Sequence, residues 1–240
     1  FVCAVLVTVK LMRSRESYQL KLKEIKIDYM ILKRIIKIGI PAGIQSTMYS
    51  ISNIVLQTNI NTFGTNTIAS WAVYVKIDAL FWMIMGAFGA SITTFVGQNY
   101  GAGLTERVRK GMKTSLIMAF GAAGLLSSFL WLFGNNIIVL FSNDANIIKE
   151  CSDIMHFLSP FYFTYCCVEI ISGTMRGCGE SFKPMLVVCL GICVLRIIWV
   201  IFVSPIYPTF RMVIISYPIT WTITSILFIF FYHFFRKKNL

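Results

Sequence analysis

IGIPAGIQSTMYSISNIVLQTNINTFGTNTIASWAVYV, residues 38–75, runs for 38 positions without an Asp, Glu, Lys or Arg. A helix crosses the hydrocarbon core of a bilayer in about 20 mostly apolar residues. The stretch is long enough for most of two spans, and Gly64-Thr65-Asn66 supplies the residues of a tight external turn between them. Irregular backbone is excluded from contact with hydrocarbon, so the spans are helices or the strands of a closed barrel. Barrel strands are about 10 residues long and alternate apolar with polar positions. This stretch is longer and does not alternate, which selects helices.

The same reading extends outward. Further apolar runs lie near 78–99, 114–141, 154–175, 184–204 and 212–235, giving six spans. The expected fold is an all-α, polytopic membrane bundle of six transmembrane helices. Composition agrees: 57% of residues are hydrophobic and 13% charged, against about 25% charged in a soluble domain. Residues 1–12 are apolar but too short to span, have no basic segment ahead of them and lack an initiator Met. They read as the tail of a preceding transmembrane helix, not as a signal peptide, and the chain is expected to be a fragment. Residues 13–37 read as a basic cytoplasmic linker, its C-terminal half either an amphipathic helix on the inner leaflet or an ordinary connector. The six-helix unit covers 38–235 and is expected to open at Pro41, and 236–240 form a basic tail.

A net charge of +12 invites a nucleic-acid partner, but placement argues against it. Apart from Lys76 and Arg196, which lie inside spans, 18 Lys and Arg fall on flanks of one side and only Lys149 and Arg211 on the other. The positive-inside rule makes the rich side cytoplasmic, both ends of the chain included. The expected location is the plasma membrane, with the lipid bilayer as the partner of the basic residues. Seven cysteines, an odd number without a CxxC, do not form a recognisable metal or disulfide framework. Cys189 and Cys193, four apart, read as packing residues before they read as a metal pair. Asp153 and His156 are the sole candidates for enzyme chemistry, and a His at the outer end of a span reads first as an interfacial anchor. No enzyme activity and no cofactor are expected.

Four fixed charges lie well inside the spans: Lys76, Asp78, Glu169 and Arg196. Each costs about 2.5–3.5 kcal/mol at mid-bilayer depth unless it meets a partner or water. Tyr74, Asp78, Trp82 and Met85 recur at three to four residues and share one helix face. An acid among aromatics is a cradle for a small organic cation. Lys76 points away from that face, with snorkelling as the competing role. Gln45, Tyr49, Asn53 and Gln57 form a polar stripe on span one, either interhelical glue or a cavity wall. At 1.5 Å per residue, Asp78 and Arg196 come to nearly the same depth. Arg196 can pair with Asp78 or with Glu169. Pro160 and Pro218 are expected to kink spans four and six. Small residues at Gly86/Ala90, 119–124 and Gly173/Gly177 are expected to allow close helix packing, and Gly97–Gly103 reads as a glycine-broken turn.

Several motifs resemble the bacterial multidrug and toxic compound extrusion (MATE) transporters. They are Ile40-Pro41-Ala42-Gly43-Ile44-Gln45, Val75-Lys76-Ile77-Asp78, Phe95-Val96-Gly97-Gln98-Asn99-Tyr100-Gly101-Ala102-Gly103 and Ser172-Gly173-Thr174-Met175-Arg176-Gly177-Cys178-Gly179-Glu180-Ser181. The resemblance covers roughly residues 33–235. It implies one lobe of a twelve-helix transporter, the C-terminal one, whose N-terminal lobe lies outside this chain. It also implies alternating access and export of an organic compound in exchange for H+ or Na+. Some such transporters carry a Glu on the first helix of this lobe and an Asp on its fourth. Here span one has neither acid and span four has Glu169, so Asp78 and Glu169 are this lobe's candidates. A lipid-linked oligosaccharide flippase of related architecture is the alternative, but it calls for several cavity cations. A membrane protein without transport activity would need no midplane charges.

Overall fold

The computed structural model describes the chain except Phe1, Ser17, Tyr18, Ile25 and Leu240 and the side chains of Arg34, Lys238 and Asn239. Parts of the expected 1–12, 13–37 and 236–240 segments therefore lie outside the described residues. The chain divides into two units, 1–36 and 37–240. In the first, α1 (Val2–Arg13) is followed by a 3-10 turn at Leu22–Glu24. The Leu20 amide donates to the Leu11 carbonyl, and Lys21 pairs with Glu24 at 3.1 Å.

Helix α2 begins earlier than expected and runs Tyr29–Ile60 with Pro41 inside it. Asp28 starts it, its Oδ1 accepting from the amides of Met30 and Ile31 at 2.8 and 3.1 Å. That satisfies the first orphan donors of a helix. Pro41 removes one later hydrogen bond, which membrane helices tolerate. A short turn at Asn61–Phe63 and Gly64, at φ +96°, lead into α3 (Thr65–Gly101). Thr65 and Asn66 are already helical, so the expected turn shrinks to Gly64, where only glycine is unstrained.

α3 is 37 residues, about 55 Å at the helical rise. The glycine-rich stretch expected to break it stays helical to Gly101, and the turn is confined to Ala102–Leu104. α4 (Thr105–Val139) returns across the bundle. Span four breaks at Pro160: α5 (Ala145–Leu158), a 3-10 turn at Ser159–Phe161, then α6 (Tyr162–Gly177). Asp144 caps α5, its Oδ1 accepting from the amide of Asn146 at 2.8 Å. Span five is α7 (Phe182–Val188), a π-helical segment at Cys189–Val194, α8 (Leu195–Ile198) and a second π-helical segment at Trp199–Val203. Span six is α9 (Phe210–Ile214) and α10 (Ser216–Asn239), broken at Ile215. Pro218 lacks the N–H that would bond to Ile214, which accounts for the break.

Among the described residues, five segments are long and apolar enough to cross a membrane: 65–101, 105–139, 145–177, 182–206 and 210–237. α2, at 32 residues, has the length of a sixth and carries the polar stripe. The core is pinned where α3 crosses α6. A Cβ at Gly177 would lie 2.7 Å from the Thr93 carbonyl, and one at Gly173 would lie 2.6 Å from Ile92. The Thr93 hydroxyl sits at the crossing, 2.7 Å from the Gly89 carbonyl of its own helix and 3.1 Å from the Gly173 carbonyl of α6, sharing its one proton between them. The Gly173/Gly177 pair thus packs within the chain. Gly86 and Ala90 do not: both are exposed, and the α3 glycines that meet α6 are Gly89, beside Glu169, and Gly97, beside the Gly177 carbonyl. Gly121 and Gly124 also face open space, leaving Ala119 and Ala123 as the buried small residues of the 119–124 patch.

Candidate functional site

The helices place Asp78 on the inward face of α3, one turn from Tyr74 and one turn from Trp82. Tyr74 donates to Asp78 Oδ1 at 3.1 Å, and Trp82 Nε1 donates to Oδ2 at 2.6 Å. A third donor crosses from α6: Tyr162 Oη reaches Oδ1 at 2.6 Å. Asp78 is 7% exposed, so three donors replace the water a buried carboxylate loses. The Tyr162 ring is held by stacking on Phe81, centroids 4.0 Å apart and planes 9° from parallel. Tyr162 was not anticipated. It starts α6 just past the Pro160 break, so its approach to α3 depends on tertiary packing.

A cavity of about 690 Å³ opens beside this cluster. Asn53 and Gln57 of α2, Trp71, Asp78 and Trp82 of α3, Tyr165 of α6, Arg196 of α8 and Tyr217 of α10 line it. Tyr49 also lines it and meets Tyr165, hydroxyl to hydroxyl, at 3.3 Å. Three members of the span-one stripe therefore face the cavity, while Gln45 lies outside its lining. Tyr74, likewise outside the lining, backs Asp78. Trp82 meets Tyr165 edge to face at 4.8 Å.

Arg196 is 3% exposed and occupies the one turn of α helix between the two π-helical segments. Neither expected ion pair forms among the described residues. Its guanidinium lies over the Tyr217 ring, 3.9 Å from the centroid, and its Nη2 donates to Thr220 at 3.4 Å. Depth alone matched Arg196 with Asp78, but α10 supplies the nearest surface. Glu169 is taken by Arg176, Nη2 to Oε1 at 3.1 Å, and accepts from Tyr165 at 3.3 Å. Its carboxylate lies against Gly89, where a Cβ would come within 2.0 Å of Oε1. Glu169 is outside the cavity lining and is joined to it through Tyr165.

Lys76 is also outside the cavity. It is exposed, with Nζ 5.8 Å from the centre of the Phe141 ring, as its offset from the Asp78 face implies. Asp153 is exposed and makes no ion pair with His156 among the described residues; His156 contacts Ser152, the Trp131 carbonyl and the Trp131 ring. The pair considered for enzyme chemistry is not assembled. Cys189 and Cys193 are buried, and no group of three His, Cys, Asp or Glu converges among the described residues.

A bundle of membrane-length helices with an acid, a base and aromatic rings turned onto one cavity defines a multi-pass membrane protein built around a largely apolar vestibule that carries one acid and one base. The sequence profile of the MatE family matches residues 41–202, more than half of the chain, and the chain belongs to that family. The probable multidrug resistance protein YoeA of Bacillus subtilis is 23% identical over 90% of this chain and 47% of its own length. The multidrug resistance protein PmpM of Pseudomonas aeruginosa is 26% identical over 63% and 32%. The crystal structure of MATE in the bent conformation superposes with a TM-score of 0.85 at 20% identity, covering 98% of this chain and 53% of that one. An outward-facing MATE transporter of the MOP superfamily gives 0.86 at 21% identity. The match covers about a third to a half of the length of these relatives.

Proposed function

We propose that this chain forms one lobe of a secondary active exporter, which moves small organic, aromatic compounds out across the plasma membrane in exchange for H+ or Na+. A second lobe of the same protein faces it, and the two rock about a shared midplane cavity. The observation that carries this reading is Asp78, a buried acid in a hydrocarbon-embedded bundle, turned onto a cavity walled by Trp71, Trp82 and Tyr165. Such a wall suits a compound with an aromatic body and a cationic group. Asp78 is the coupling candidate, and Glu169 communicates with the cavity through Tyr165. The names of the relatives support drug-like cargo. The flippase alternative is weakened because, among the described residues, Arg196 is the only Lys or Arg in the cavity lining.

The test is reconstitution of the complete reading frame in proteoliposomes, with ethidium efflux driven in turn by an imposed proton gradient and an imposed sodium gradient. Asp78→Asn should abolish gradient-driven efflux, and Glu169→Gln should weaken it. Coupling unimpaired in both variants would remove these acids from the mechanism.

A further inference from the structure

We infer that Arg196 is an oxyanion-binding subsite of the cavity, holding the carboxylate, sulfonate or phosphate of an aromatic cargo molecule. The inference rests on the export reading and adds a requirement that reading lacks: cargo carrying an acid group.

The argument is the hydrogen-bonding state of the two cavity charges. A carboxylate offers about four acceptor sites, and three on Asp78 are taken by Tyr74, Tyr162 and Trp82. A guanidinium offers five N–H donors. One of those on Arg196 makes a single bond, at 3.4 Å and so at the long end of the range, to a Thr220 hydroxyl that itself donates to the Ser216 carbonyl at 2.7 Å. Arg196 Nε is buried without a partner, and no carboxylate lies within 4.0 Å of the guanidinium among the described residues. Yet the residue is 97% removed from solvent and forms part of the cavity wall. The group this vestibule leaves short of a partner is a donor.

Geometry fits the assignment. Tyr217 covers one face of the guanidinium, which leaves its edge for a planar, two-pronged acceptor. The flanking π-helical segments set the direction of this one turn, and such insertions concentrate at functional sites. Glu169 cannot neutralise Arg196, because Arg176 holds it. A dipolar aromatic molecule thus finds an anchor for each end: its acid at Arg196 and its amine toward Asp78.

The experiment uses the complete protein in nanodiscs of phosphatidylcholine alone, which removes competing anionic headgroups. Fluorescence titration compares dansylglycine, its neutral analogue dansylglycinamide, and ethidium. The wild type should bind the acid roughly 10-fold or more tightly than the amide. Arg196→Gln should weaken the acid roughly 10- to 100-fold and change the amide and ethidium less than about 2-fold. Arg196→Lys, which keeps charge but loses the fork, should fall between. Equal affinity of acid and amide in the wild type, or an equal loss for all three probes in Arg196→Gln, overturns the assignment. Should Arg196→Gln not fold, the wild-type comparison and Arg196→Lys decide. Acid preference without ethidium efflux would support the subsite and count against the export reading alone.

Discussion

Replacing Tyr162 by Phe removes one hydroxyl and nothing else, because the ring stays stacked on Phe81. The lost bond, 2.6 Å to Asp78 Oδ1, is short. A hydrogen bond to a charged group contributes about 1.5–3 kcal/mol, and one between neutral groups about 0.5–1.5. Tyr162→Phe should therefore lower stability by about 1.5–3 kcal/mol when Asp78 is ionised. In an Asp78→Asn background the same change should cost only about 0.5–1.5 kcal/mol, a coupling of roughly 1–1.5. The assay is equilibrium unfolding of the complete protein in detergent near neutral pH, with all four members of the cycle. Two results would refute the reasoning: a single-variant loss below about 0.5 kcal/mol, or additivity within about 0.5.

Further outcomes follow from the packing. Gly177→Ala sets a methyl 2.7 Å from the Thr93 carbonyl and should cost about 1–3 kcal/mol, read as a fall in melting temperature. Gly86→Ala meets nothing within 4 Å and should be neutral or stabilising by up to about 1 kcal/mol in the same assay. Arg176→Ala should destabilise by about 1–3 kcal/mol, less than for a fully buried pair because both partners retain some exposure, and Glu169→Gln should recover part of the loss. Lys76→Gln should leave gradient-driven efflux within about 2-fold of wild type, since only a ring contact of at most about 1 kcal/mol is lost.

The spans were legible because membrane helices need long uncharged runs, and residues 38–75 provide one. The Asp78 face was legible because Tyr74 and Trp82 sit one turn to either side, a local relation that spacing determines. What spacing could not give is which neighbouring helix arrives. Tyr162 reaches Asp78 from across the Pro160 break, and Arg196 meets Tyr217 and Thr220 instead of an acid at matching depth. For the same reason Gly89, not Gly86, makes the close crossing with α6. Pro41 misled because its residue type suits a helix start, while Asp28, hidden in a basic stretch, supplied the actual cap. The π-helical turns around Arg196 have no signature in composition.

The central claim is that Asp78 and Arg196 look onto water and not onto acyl chains. Thiol labelling tests it most directly, with single cysteines placed in a cysteine-free background of the complete protein in membranes. Ala79 lines the cavity, whereas Ile117 is 72% exposed on α4, outside the cavity, and is expected to face lipid. A charged, membrane-impermeant thiol reagent should modify Ala79→Cys, more slowly when ethidium is present, and should spare Ile117→Cys. If only a lipid-soluble maleimide labelled Ala79→Cys, as for Ile117→Cys, the vestibule would be dry and the account contradicted.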